Sequence, residues 1–558
     1  MRKASRRHFD LVILALVIAA FAFVAAQRIG TVPVPEGDEA FTLQVPYSML
    51  YRGKLALPML RYLGGNIENV WHSFTPVYFV ILSGFFKLFG FGLTEGRVFN
   101  LITAVTTLLM IYLIGRRLFD WRAGLIAVMM LVGDQTFLER SRLLRNDYAA
   151  ATFALLAFYL YEIAEERRSA RWYIGAGLAA GAGVMCHTNI LYMIAAIGLL
   201  ILLRDGWRAL ISSKLYLFAA SAFLVMAYEL IYDLIDYKNF GLQNRGDDLH
   251  FRILEPAGWW RNFLEERLRY QKWYIGGVMF SGLPQVTLRL FQLLTIAALI
   301  YLIIVCVRQI KRRNLLAEPR VRVFVVLLVV MLFHAVIVSH KRIYYMAHLA
   351  PWFALGVGIL LSDGINQLGR LRMAEWPRAR LAYNVAVIVV GLLIAGYAFQ
   401  LANQYRRFVA AARNPDLASF AELTEALRST IPPELCPVAV QNPSIWLAFP
   451  ESDRCFATLE KRMQNDIDGK DYALVKRAKH GTESAAEAGD GYHLLGVLSN
   501  TAYGDLVIYY TGSDPRYLAL KPKQYRFFGE QGGYTNGEQI TASPEARSSG
   551  PAAGLDDH

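Results

Sequence analysis

Charge and cysteine are scarce in this chain: 18% of its 558 residues are charged and four are cysteine. No pair of cysteines has metal-finger spacing. Cys186 and Cys306 fall in apolar runs and read as packing residues. Cys436 and Cys455 lie in a polar C-terminal region, where a disulfide is expected only if that region is extracytoplasmic. Also missing are a glycine-rich nucleotide loop, an HExxH pair and a Ser-His-Asp arrangement. ATPase and protease mechanisms of the soluble kind are therefore without support. No internal repeat is visible, which weighs against inverted-repeat transporter folds.

Apolar length is what the sequence has in excess. Hydrophobic residues make up 55% of it, mean hydropathy is +0.31, and apolar runs of roughly 17–22 residues recur, enough to cross a bilayer as helices. The net charge of +13 would suit a nucleic-acid partner. Its placement argues otherwise, because Lys and Arg cluster in the short loops between apolar runs, as membrane orientation requires.

Arg2, Lys3, Arg6 and Arg7 precede the apolar run 10–26. A cleaved signal peptide looks similar, and Ala20-Phe21-Ala22 passes as a cleavage motif. The length of the run and the polytopic chain behind it favour an uncleaved first helix, N-terminus in the cytoplasm. Residues 75–90 are apolar but short. They are read as an interfacial or re-entrant helix, because only then do Arg116, Arg117 and Arg122 fall in the cytoplasm. Spans near 97–115, 123–138, 148–164, 172–187, 189–203, 215–235, 286–307, 323–338, 345–361 and 381–400 then alternate with basic loops inside, giving about eleven in all. The expected organisation is a first transmembrane helix (1–29), a large first periplasmic loop with interfacial helices (30–95), the remaining spans (96–400), a periplasmic α/β domain (401–530) and a disordered tail (531–558). In that domain a helix is expected over 416–429 and strands over 437–441, 472–476, 493–498 and 505–510.

Three loops on the outer face carry the candidate chemistry. Asp38 and Glu39 follow the flexible Gly37 directly after the first span; the plain alternative is a solvated loop in which an acid opens a helix. Glu139-Arg140-Ser141-Arg142-Leu143-Leu144-Arg145-Asn146-Asp147 places three arginines outside, against the usual bias. Arg142 and Arg145, three apart, are expected to share a helical face and fork a phosphate. Pairing with Glu139 and Asp147, or with lipid headgroups, is the plain alternative. His340-Lys341-Arg342-Ile343-Tyr344-Tyr345 is a second outward basic cluster, with interfacial snorkelling as its alternative. Two such exceptions on the side of an acidic pair read together as one site: a base beside a cationic pocket for an anionic, lipid-borne donor. His187 at a loop tip reads as capped and solvated. The stretch Trp71-His72-Ser73-Phe74-Thr75-Pro76 either positions a headgroup or starts the interfacial helix.

These stretches, with Gly115-Arg116-Arg117-Leu118-Phe119-Asp120-Trp121-Arg122-Ala123-Gly124 at an inner turn, resemble the membrane-embedded GT-C glycosyltransferases over about residues 8–365. The similarity is to bacterial members (glycosyltransferase family 39-like) related to protein O-mannosyltransferases and lipid A aminoarabinose transferases. The resemblance implies a polytopic α-helical membrane protein of GT-C type with a small C-terminal extracytoplasmic α/β domain, in a bacterial inner membrane with its site on the periplasmic side. It implies transfer of a hexosyl or pentosyl group, with inversion, from a polyprenyl-phosphate sugar to a hydroxyl on a lipid, glycan or protein. Asp38, with Glu39 beside it, matches the catalytic base and Asp147 a second acid. Arg142, Arg145, Lys341, Arg342 and Tyr345 match donor-phosphate positions, and His72 and His340 are acceptor or headgroup candidates. Asn146 stands where a proline is common, and His72-Ser73-Phe74-Thr75-Pro76 replaces a Lys/His-Pro-Pro segment. The resemblance makes no cofactor certain and leaves room for a divalent metal near Asp38, because some relatives use one near the acids. The competing reading is a transporter or flippase of a lipid-linked sugar, which needs the cations but not Asp38.

Overall fold

In the computed structural model the apolar runs become helices. It describes residues 2–30, 33, 35–72, 76–243, 256–275, 290–311, 315–372, 377–412, 420–435 and shorter stretches at 438–440, 443–448, 456–458, 471–477, 492–501 and 504–526. In chain order the helices are α1 Arg2–Ala25, α2 Gly37–Arg52, α3 Pro76–Phe89, α4 Leu93–Leu118, α5 Trp121–Val132 and α6 Gln135–Arg140. There follow α7 Asp147–Arg167, α8 Ala170–Val184, α9 Leu191–Asp205, α10 Ser213–Ile235, α11 Tyr237–Gln243 and α12 Pro256–Ile275. The last are α13 Leu290–Lys311, α14 Pro319–Val336, α15 Met346–Arg372, α16 Pro377–Ala412 and α17 Phe420–Thr430. Among the described residues six helical segments are long and apolar enough to cross a membrane by length and composition: Leu93–Leu118, Thr188–Ile211, Ser213–Ile235, Leu290–Lys311, Pro319–Val336 and Ile343–Arg370. Phe9–Ala25, Pro76–Phe89 and Trp121–Val132 are shorter apolar helices. Cys436, Cys455 and the segment 531–558 lie outside the described residues.

The chain divides into two units. One is Met1–Asn414 with Ala439–Asp468; the other is Pro415–Val438 with Gly469–His558. The first is the helical bundle. In the second, α17 buries Leu423, Ala426 and Leu427, and strands β3 Tyr472–Arg477, β5 Gly504–Thr511, β4 Tyr492–Thr501 and β6 Lys523–Arg526 lie side by side in that order. Two short strands, β1 Val438–Val440 and β2 Phe456–Thr458, precede them. β5 runs antiparallel to both neighbours, with Thr511 opposite Tyr472 on one side and Tyr492 on the other. β6 is parallel to β4.

Within the bundle the inner-turn motif has a packing explanation. Asp120 caps α5, its Oδ1 accepting the Ala123 N–H at 2.8 Å, and Ser362 Oγ on α15 donates to both Asp120 oxygens at 2.9 and 2.8 Å. Gly115 and Gly124 let α4 and α5 touch backbone to backbone. A Cβ on Gly115 would lie 2.5 Å from the Gly124 Cα. Small residues at such crossings are how membrane helices approach closely.

A single span over 123–138 is not what forms. The helix stops at Val132 and a separate short one starts at Gln135. Tyr397 on α16 donates its hydroxyl to the Met129 carbonyl at 2.6 Å, and a Cβ on Gly133 would fall 1.7 Å from that hydroxyl oxygen. The next residue, Asp134, turns aside to accept the Trp273 indole N–H at 3.2 Å. Apolar periodicity is blind to this tertiary break.

Gly115→Ala is expected to destabilise the bundle by about 1–3 kcal/mol through overpacking. Thermal unfolding in detergent measures it, and an unchanged transition would mean that α4 and α5 separate freely.

Candidate active site

The acids at 38 and 39 face different worlds because they occupy successive positions at the start of one helix. Glu36 is the N-cap of α2, and a reciprocal capping box forms with Glu39. Glu39 points inward and is 0% exposed. Arg97 on α4 grips it with Nε on Oε1 at 2.8 Å and Nη2 on Oε2 at 2.7 Å. The Leu144 N–H adds 2.9 Å to Oε1, and the Glu36 N–H adds 3.0 Å to Oε2. Four donors fill the carboxylate. Arg97 spends its remaining Nη1 on the Ile29 carbonyl at 2.9 Å. Glu39 therefore has no lone pair to offer a substrate; it locks the start of α2 to α4 and to the loop before α7.

Asp38 points outward with its side chain 50% exposed, and Arg145 Nη1 donates to its Oδ2. The same guanidinium donates Nε to Asp147 Oδ2 at 2.8 Å. One arginine thus holds two acids from different loops. Asp147 and Asp38 outweigh burial and keep Arg145 firmly charged. Its guanidinium carbon sits 3.8 Å from the Tyr344 ring centre, and Arg140 approaches that ring to 5.2 Å. Arg140 also pairs with Glu36 at 3.1 Å.

Arg142 does not join Arg145 on a common face. Helix α6 ends at Arg140, and in the loop beyond it Arg142 turns inward and donates to the Gln27 carbonyl. Burial, and then the nearby Arg97, pull its pKa down to about 9. Lys341 is likewise engaged. Its ammonium donates to the carbonyls of His334, Ala335 and Val338 at 2.9, 3.1 and 2.8 Å and stands 2.9 Å from Glu266. It terminates α14, where free carbonyls need donors, and burial pulls its pKa down against the attraction of Glu266. Arg342 is exposed, and the His340 carbonyl lies 3.4 Å from Arg269 Nη2. His72 is buried, with its two ring nitrogens each 3.0 Å from a carboxylate, Asp233 and Asp236. It staples the first loop to α10.

Behind Asp147 lies a cluster that the sequence did not single out, His187 and Tyr345 excepted. Asp147, 2% exposed, has its Oδ1 3.4 Å from His348 Nε2 and 3.7 Å from His187 Nε2. Tyr345 meets the His187 ring edge-on at 5.4 Å, and His334 lies 5.6 Å from His348. His334 Nδ1 is 3.0 Å from the Val330 carbonyl, so it is the protonated nitrogen and Nε2 is an acceptor. Arg269 on α12, fully buried, lies 5.7 Å from the Tyr345 ring centre. Among the described residues no hydrogen-bond partner reaches Arg269 Nε or Nη1, His334 Nε2 or the Tyr78 hydroxyl. Unmatched polar atoms of this kind are costly in a protein interior and mark places where a polar ligand or water belongs.

The profile of the dolichyl-phosphate-mannose-protein mannosyltransferase family matches residues 73–232. No curated protein matches the sequence. Among solved structures, ArnT of Cupriavidus metallidurans in the apo state is 14% identical, with a TM-score of 0.56, covering 90% of this chain and 97% of that one. The fold is that of the GT-C membrane glycosyltransferases. The same ArnT bound to undecaprenyl phosphate gives a TM-score of 0.53 at 14% identity, with the same coverage. The Archaeoglobus fulgidus oligosaccharyltransferase in its apo form gives 0.50 at 14% identity, over 83% of this chain and 66% of that one.

In this chain, Arg97, Arg269, His334 and His348 had no sequence signature. Each is one polar residue inside a helical pattern, and only an intramembrane or interfacial charge rule singles out Arg97 or Arg269. The metal question turns on Asp147, His187 and His348, whose ligand atoms all lie within 4.8 Å of one another. Carboxylate plus two imidazoles is a serviceable donor set. His187 Nδ1, however, accepts the Asn189 N–H at 3.2 Å, which leaves the ring proton on Nε2, facing Asp147. In that tautomer His187 turns an N–H, not a lone pair, toward the carboxylate 3.7 Å away and does not fit as a metal ligand.

Glu39→Gln is expected to cost about 3–5 kcal/mol by leaving Arg97 buried without its charge partner; detergent unfolding measures it, with Asp38→Asn close to wild type. Glu139, buried on α6, has its pKa pushed up to about 7 by burial, against Gln135 and Arg140. The folded state therefore favours its neutral form. That contribution to stability is complete below the unfolded value of about 4.3 and is lost as pH rises through about 7. A fall in unfolding temperature between pH 5 and 7.5 that is smaller in Glu139→Gln is the expected result.

Proposed function

We propose that this chain transfers a sugar from a polyprenyl-phosphate carrier to a hydroxyl acceptor, with Asp38 as general base. The observation that carries the reading is the outward, half-exposed Asp38 held by Arg145 within the same constellation as Asp147, Tyr345 and Arg269, whose Nη2 is engaged while Nε and Nη1 meet no partner among the described residues. The undecaprenyl phosphate named for the similar ArnT structure supports the donor class.

A hydroxyl is a poor nucleophile near neutral pH, and a carboxylate within hydrogen-bond reach accepts its proton as attack proceeds. Arg145 occupies one Asp38 oxygen and leaves the other to face the acceptor. The acceptor oxygen bonds to the anomeric carbon and the carbon–oxygen bond to phosphate breaks. The electron pair passes to a lipid phosphate whose growing charge fixed cations stabilise. Direct displacement inverts the anomeric carbon. Arg269, whose Nε and Nη1 meet no partner among the described residues, is the cation we assign to that phosphate, ahead of Lys341, whose ammonium is turned to carbonyls and Glu266, and of Arg142, which reaches back to the Gln27 carbonyl. Arg342, exposed beside Tyr344, is left to meet the headgroup at the surface. No step passes through a metal.

We place the site on the periplasmic side of a bacterial inner membrane. The opposite ends of α4 and α7 carry Arg116, Arg117 and Arg167, and α9 and α14 add Arg204, Arg320 and Arg322 at that end, as a cytoplasmic face requires. A cavity of about 680 Å³ lies there too. Its arginines are paired: Arg117 with Glu166, Arg204 with Glu165 and Arg322 with Glu162.

The test uses purified protein in detergent with a panel of labelled undecaprenyl-phosphate sugars, following loss of sugar from the lipid. Asp38→Asn should lower turnover on the order of 10²-fold or more with its unfolding transition unchanged. Arg269→Gln should also slow it, and a chelator should not. Normal turnover by Asp38→Asn would remove the base assignment.

A further inference from the structure

We infer that the segment Pro443–Trp446 is a positioning strap for Asp38, a role that rests on the transfer reading above. The three residues leading into Asp38, namely Pro35, Glu36 and Gly37, form the entry hinge of α2, with Glu36 in an extended conformation. From the bundle side Glu39 and Arg97 fix that hinge. From the other side it is gripped by a short 3-10 helix, Pro443–Ala448, more than 400 residues away in sequence yet part of the same unit.

Three contacts make the grip. Ser444, fully buried, donates its hydroxyl to the Pro35 carbonyl at 2.9 Å. Pro443 lies against Gly37, where a Cβ would stand 3.4 Å from its ring carbons. Trp446, also fully buried, meets Tyr47 of α2 edge-on with ring centres 6.0 Å apart. The Ser444 hydroxyl bonds the Pro35 carbonyl at the point where backbone freedom would move Asp38. Asp38 itself is free of the strap and open to solvent. The arrangement therefore sets where the base stands without occupying it. A general base tolerates little displacement, since an error of about 1 Å costs on the order of 10²-fold in rate.

The experiment compares wild type with Ser444→Ala, which removes the hydroxyl and little volume, and with Ser444→Thr, which restores it. Two readings are taken on the full-length protein in detergent. Amide exchange by mass spectrometry should quicken several-fold in peptides covering 35–41 for Ser444→Ala and stay unchanged in peptides from α4. With the undecaprenyl-phosphate sugar that wild type consumes, kcat should fall about tenfold or more at an unchanged KM, and Ser444→Thr should recover it. Unchanged exchange at 35–41 overturns the strap whether or not the protein is a transferase. Quickened exchange with normal kcat overturns its catalytic role. Turnover that survives Asp38→Asn removes the transfer reading and the positioning role with it. Should Ser444→Ala unfold, Trp446→Phe, which keeps an apolar ring against Tyr47 with less contact, is read by the same two measurements and the same limits.

Discussion

A single buried ion pair, Arg97 with Glu39, holds the first loop of this protein to its helical bundle. Two desolvated charges are a poor bargain unless every lone pair and proton is matched. Here the carboxylate receives four donors and the guanidinium reaches a carbonyl as well. The pair joins the turn after α1, the start of α2, α4 and the loop before α7. Its consequence is geometric. With Glu39 turned inward and locked, its neighbour Asp38 must point outward, so the exposed acid is a by-product of the buried one.

Arg145 does for the surface what Arg97 does for the interior. It lies between Asp38 and Asp147, against the face of Tyr344, and so ties the first acidic loop to the start of α7, whose Asp147 faces His187 and His348. Beyond Asp147 the polar atoms stop being matched: His334 keeps an acceptor, Tyr78 a hydroxyl and Arg269 two guanidinium nitrogens without protein partners. Unmatched buried atoms occur elsewhere too, on Gln44, Asn100 and Tyr161 among others; what sets this group apart is its link through Tyr345 and His187 to Asp147.

The outward basic residues look alike in sequence and do different things. Lys341 satisfies the carbonyls at the end of α14, as a terminating helix in an apolar setting requires. Arg142 reaches back to Gln27. Arg140 shares Glu36 and the Tyr344 ring, and only Arg145 links the acids. An exception to the charge-placement rule reveals that a cation has a reason to be there, but the reason is whatever acceptor the fold brings within about 3 Å.

Much was readable without coordinates. Apolar runs bounded by arginines specify helices and their order, because burial and charge placement act on segments and need only local spacing. Asp38, Asp147, Arg145 and Tyr345 were legible as a group for the same reason, all lying in loops at one end of that ordered bundle. What the chain alone could not say concerns direction and partnership. Whether residue 38 or 39 faces out depends on Arg97, 58 residues away. The break at Gly133 depends on Tyr397. The Asp147–His348 contact and the seat of Pro443–Trp446 on α2 join residues hundreds of positions apart. Those choices belong to tertiary structure, since a hydrogen bond or an ion pair is decided by a distance of a few ångströms, a quantity that periodicity along a sequence does not contain.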